Sequence, residues 1–157
     1  MAIGLLNRHL ANCHAFYGGQ HVVGDYENGN LYVSDLDCYT DHGLPIIRIR
    51  QTPHVSSELN RIFYKLFELD MQFGVGQSST DDNNALNPHV VLQMSNDGGQ
   101  TWSNELQANI GAMGRYRTRA RWHRLGSSRD RLFRIIVSDP VPVQILSAHL
   151  DIEVGNA

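Results

Sequence analysis

Eight consecutive residues, Ser95-Asn96-Asp97-Gly98-Gly99-Gln100-Thr101-Trp102, constrain the fold of this chain more than any others. They fit the Asp-box pattern Ser-x-Asp-x-Gly-x-Thr-Trp at Ser95, Asp97, Gly99, Thr101 and Trp102, and they prescribe a tight turn between two strands. The Asp97 carboxylate can take backbone N–H groups from the residues that follow it, and Gly98 or Gly99 supplies a positive φ at no steric cost. Trp102 offers a large apolar ring to the sheet and carries one N–H that needs an acceptor. The motif predicts a β-hairpin and, by itself, no chemistry.

The rest of the chain reads as β almost throughout. Short strands are expected at His21–Asp25 and Ile46–Arg50, and an alternating one over Leu31–Tyr39, with turns at Glu27-Asn28-Gly29-Asn30 and Asp41-His42-Gly43. Arg61–Phe73 suits either period, and its aromatic content and the Gly74-Val75-Gly76 stop favour a long strand with Phe63, Phe67, Leu69, Met71 and Phe73 on one face. Further strands are expected at His89–Met94, Gly114–Arg124, Arg131–Ser138 and Val143–Val154. The Asp box occurs once and no fixed period recurs, and 157 residues are too few for a propeller of ordinary blades. The expected fold is therefore an all-β antiparallel sandwich or barrel-like sheet with one Asp-box hairpin, a partial β-propeller being the alternative. One β-rich domain over 1–157 is expected, with an irregular lead-in over 1–20 and a mobile polar loop over 77–88.

An apolar content of 41% suits a globular core, and runs such as Ile135-Ile136-Val137 are far too short to span a membrane. Residues 1–20 carry Arg8, His9, Asn12 and His14 and so lack the apolar stretch of a signal peptide. Cys13 and Cys38 give no disulfide framework and read as reduced thiols of the cytosol, one bridge being the alternative. The mild net charge of −3 conceals a partition. Residues 1–114 hold five basic and twelve acidic side chains, whereas residues 115–157 hold eight arginines and four acids. Lys65 is the one lysine among thirteen basic residues, a bias that fits gripping of carboxylate or phosphate by the planar guanidinium fork, or codon usage.

Arg115, Arg117, Arg119 and Arg121 recur at every second position, which on a strand puts four guanidinium groups on one face and Tyr116, Thr118, Ala120 and Trp122 on the other, toward the core. Like charges so stacked need carboxylates, phosphates or solvent opposite them. The four are candidates for an interface or anion-binding face, the alternative being pairing with acids of the same chain such as Asp35 and Asp37. Sialidase chemistry would need convergent arginines, a tyrosine nucleophile and a glutamate partner. Here Tyr116 lies among arginines of one strand, and Glu58, Glu68 and Glu105 are scattered. His9, Cys13 and His14 are close in sequence, yet no second Cys/His cluster completes a tetrahedral site. No catalytic residue, metal or cofactor is expected.

A series of phrases carries a resemblance: Asn12–Phe16, His21–Asp25 with Gly29–Tyr32, Tyr39–Asp41, Thr52–Ser56, Gly74–Gly76, Ser95–Trp102, Gly111–Tyr116, Trp122–Gly126, Phe133-Arg134 and Ser138–Val141. Together they resemble the C-terminal part of the packaged-DNA stabilisation proteins of short-tailed phages, the tail hub below the portal. The resemblance implies a virion structural protein, made in the host bacterial cytoplasm, that assembles as a ring beneath the head-to-tail adaptor. It implies contact with other tail or connector proteins and with packaged DNA. Hub proteins of this type are much longer and propeller-like, so the chain is expected to be a short relative or one domain of such a protein. An acidic N-terminal region and a basic arginine segment would suit head-to-tail contacts between copies. A carbohydrate- or host-surface-binding module, with Trp102 or Trp122 stacking on sugar, is the alternative.

Overall fold

Residues 10–76 and 86–155 are described by the computed structural model, in which fourteen strands are paired antiparallel throughout. The chain divides into two compact units, Met1–Cys38 and Tyr39–Ala157. In the first, β1 (Ala11–Tyr17), β2 (Gln20–Asp25) and β3 (Leu31–Ser34) form a three-stranded meander. The sequence pointed to an irregular lead-in here. Instead, Gly18 and Gly19 both take positive φ (60° and 81°), the requirement of a two-residue hairpin turn, and so give Ala11–Tyr17 a partner. The expected strand over Leu31–Tyr39 stops at Ser34, because the Asp35 carboxylate accepts the Asp37 N–H (3.0 Å) and closes a local turn.

The second unit starts with the short hairpin β4 (Thr40–Asp41) and β5 (Leu44–Pro45) and continues as two larger sheets. One holds β10 (Leu106–Asn109), β9 (His89–Ser95), β13 (Asp130–Val137) and β6 (Arg48–Gln51) in that order, with β7 (Val55–Ser56) also on β13. The other is built on β8 (Ile62–Met71). Along one side of it lie β11 (Ala120–His123) and β12 (Ser127–Ser128), and along the other runs β14 (Ile145–Val154). The inner faces meet in one core containing Phe67 and Leu69 of β8, Val90 and Leu92 of β9, Trp122 of β11, and Phe133 and Ile135 of β13. Phe133 bridges the layers, with its ring 5.0 Å from that of Phe67 and 5.6 Å, edge-on, from that of Tyr64. The architecture is an antiparallel β-sandwich, one of the two forms expected from the sequence.

Strand β8 also explains why Arg61–Phe73 fitted two periods. Its buried residues are Ile62 and Tyr64, then Phe67, Leu69 and Met71, so the inward face changes from even to odd positions. The break is a bulge: Ile152 pairs with Tyr64 and Asp151 with Leu66, which leaves Lys65 without an opposite residue. One extra residue reverses which side chains point inward. Phe63, expected inside, is therefore exposed. Of the expected loop over 77–88, residues 77–85 lie outside the described residues.

Candidate functional site

The 95–102 segment follows β9 and folds as a closed hydrogen-bonded turn. Ser95 Oγ donates to Asp97 Oδ1 (2.6 Å) and accepts the Gly99 N–H (2.8 Å). Asp97 takes the Thr101 N–H at 3.0 Å and the Thr101 hydroxyl at 2.5 Å. These donors hold the Asp97 carboxyl far below the usual carboxylate range, the Ser95 hydroxyl contributing most. Gly98 and Gly99 adopt φ of 73° and 94°. Trp102 Nε1 donates to Gly99 O (3.1 Å), so the indole seals its own turn. Trp102 is half-buried, and the Arg134 guanidinium lies 3.5 Å from its ring centroid. All five motif residues thus bind one another or the local backbone.

The arginine segment departs from expectation. Gly114–Arg124 is not one strand. Only Ala120–His123 is extended, as β11, whereas residues 112–117 form turns in which the Arg115 N–H bonds Ala112 O (3.0 Å) and Arg115 O receives the Thr118 hydroxyl (3.0 Å). The positive φ of Gly111 and Gly114 (96° and 83°) admits these turns, a signal that alternation of arginines overrode. The four guanidinium groups therefore do not share a strand face. Arg119 and Arg121 converge on Glu68 of β8, at 3.1 Å and 2.9 Å, which lowers the Glu68 pKa, chiefly through Arg121. Arg115 and Arg117 are exposed, and no carboxylate among the described residues pairs with either. Tyr116, expected in the core, is exposed, while Ala120 and Trp122 are buried as expected. An open cleft of about 800 Å³ is lined by Glu68, Phe73, Tyr116, Arg117, Arg119 and His149.

Sequence reasoning missed three arginines that act within the protein. Arg131 is 3% exposed and has no carboxylate partner among the described residues; it donates to Asn96 Oδ1 (2.8 Å) and Leu125 O (2.5 Å) and sits 4.3 Å from the Tyr64 ring centroid. Arg48 donates to the carbonyls of Val141 (2.6 Å) and Asp139, which fastens the β13–β14 connection. Burial lowers the pKa of Arg48, Arg131 and Arg134. For Arg131 and Arg134 the one available signal was their position on β13, a strand otherwise rich in apolar residues; the short polar β6 gave none for Arg48. Cys13 and Cys38 are exposed and unbridged, and the described residues contain no group of three or more His, Cys, Asp or Glu side chains able to hold a metal.

Two packed antiparallel sheets, with their most distinctive polar groups spent on turns, stacks and strand connections, define a structural β-sandwich module. The match to known families agrees with this class. The family described as "Bacteriophage P22 Gp10, beta-sandwich" matches residues 47–153, from the start of β6 nearly to the end of β14, and the chain belongs to that family. It is a phage structural protein. No curated protein matches the chain.

Proposed function

We propose that this protein is a structural component of the phage tail or head-to-tail connector region, assembling as a homo-oligomeric ring that helps stabilise packaged DNA or attach tail components. The Arg115–Arg117 turn contacts an anionic surface, either acidic residues of a neighbouring tail protein or DNA phosphates. The observation that carries this reading is the division of labour among the four arginines: Arg119 and Arg121 share the carboxylate of Glu68, whereas among the described residues no carboxylate pairs with Arg115 or Arg117. Exposed, uncompensated guanidinium groups suit recognition of carboxylate or phosphate. The sugar-stacking alternative is weakened by the burial of Trp122 and by Arg134 against the ring of Trp102. Quantitative mass spectrometry of purified virions tests the reading. It predicts a fixed copy number per particle, reduced when Arg115→Gln and Arg117→Gln are combined; a wild-type chain absent from virions would overturn it.

A further inference from the structure

The two long sides of the sandwich are unlike. On one, β10 and β11 are joined across the layers by Trp122 Nε1, which donates to Leu106 O (2.9 Å). On the other, the layers end in β6 and β14, and among the described residues neither strand has a second partner. A cavity of about 370 Å³ opens between them, lined by apolar Ile135, Val137, Val143 and Ile145 together with Arg48 and Arg50. The register explains this composition. Arg50 lies opposite Ile135 and Arg48 opposite Val137, so both arginines share the inward face of those core residues. Arg48 spends its terminal nitrogens on the carbonyls of Asp139 and Val141, and its Nε is buried without a hydrogen-bond partner. Arg50 is exposed, and no carboxylate among the described residues pairs with it. The seam is thus an apolar slot with cationic lips, flanked by the outer edge of the ten-residue strand β14, whose other edge is paired with β8.

The first unit offers the complementary features. Its meander buries no side chain, and β3 is an edge strand exposing Leu31 (73%) and Val33 (49%), followed by Leu36 (95%). A three-stranded sheet without a core gains stability by covering such residues. Residues 10–38 contain Asp25, Glu27, Asp35 and Asp37 and no lysine or arginine. Asp35 and Asp37 follow directly on the apolar edge. The meander also lies outside the matched region that contains the sandwich.

We infer that the seam between β6 and β14 is the subunit interface: it takes the β3 edge of a second copy, with Leu31 and Val33 over the apolar slot and Asp35 and Asp37 at Arg50. Strand addition to an exposed edge supplies main-chain hydrogen bonds, and the slot and its arginines supply register and specificity. One patch meeting a different patch is a head-to-tail contact, the kind from which a ring is built when the rotation between copies closes. The inference rests on the homo-oligomeric reading above and names its surfaces.

The test is solution mass by light scattering of the full chain and two charge-reversed forms, Arg50→Glu and the Asp35→Arg, Asp37→Arg pair, each checked for an unchanged β-sheet circular dichroism spectrum. Each reversed form is expected to fall to the monomer mass, and mixing the two to restore the oligomer, since each carries the partner surface that the other needs. An oligomer unaffected by both reversals overturns the inference, leaves the ring reading intact and makes the inward arginines only a guard against edge pairing. Dissociation without recovery on mixing also overturns it. A wild-type chain that is monomeric at every concentration overturns the ring reading itself.

Discussion

Replacing Trp122 by Phe separates the closed side of the sandwich from the rest of the core. The indole is 5% exposed, packs 5.9 Å from the ring of Phe67, and makes the Nε1 hydrogen bond to Leu106 O that ties β11 of one sheet to β10 of the other. Phe keeps most of the apolar contact and removes the donor, at a cost of about 1 kcal/mol for a bond of this kind. The smaller ring also leaves a void beside Phe67, adding about 1–2 kcal/mol for lost burial and incomplete collapse. The expected loss is therefore about 2–3 kcal/mol, and Trp122→Ala should cost about 3–5 kcal/mol. Urea unfolding monitored by fluorescence measures this directly, because Trp102 remains as the reporter in both variants. An unfolding free energy for Trp122→Phe within about 0.5 kcal/mol of wild type would refute the reasoning, since substitutions away from structural features fall in that range.

Three further outcomes are expected. Asp97 has a depressed folded-state pKa, so its contribution to stability is complete above its ordinary value of 3.8 and is lost as pH falls through the folded value. Thermal midpoints should therefore drop steeply below about pH 4 in the wild type and less steeply in Asp97→Asn. Gly111→Ala should destabilise by about 1–3 kcal/mol in denaturant titration, because φ is 96° there and a Cβ would lie 2.8 Å from Thr118 Oγ1 and 3.0 Å from Arg115 O. Combining Arg115→Gln with Arg117→Gln should reduce the salt slope of any DNA binding by about 1–2, whereas Arg119→Gln with Arg121→Gln should change it less, because Glu68 already engages both and offsets one of their two charges. Equal effects from the two pairs would contradict the division of the arginines.

The sheet architecture was legible because its determinants are local. The strands expected over His89–Met94, Arg131–Ser138 and Val143–Val154 correspond to β9, β13 and β14, and Ser95, Asp97, Gly99, Thr101 and Trp102 make a turn whose bonds all lie within the segment. The errors arose where a long-range partner decides the outcome. The face reversal in β8 is set by its pairing with β14, and a bulge cannot be read from one strand alone. Strand β1 exists because the Gly18-Gly19 turn returns β2 to it. The period-two arginine pattern was a sound strand signal, but Gly111 and Gly114 turned the backbone before Ala120. Glu68 became visible as the partner of Arg119 and Arg121 only once β11 was placed opposite β8. Arg48 and Arg50 likewise acquired meaning from their register against Val137 and Ile135.

Self-assembly is the central claim, and the mass of the purified wild-type protein by light scattering at low and high salt tests it most directly. The account predicts one discrete multiple of the monomer mass at low salt. Because charge contributes to the contact, dissociation should be favoured as salt rises. A monomer at both salts, across the accessible concentration range, would contradict it.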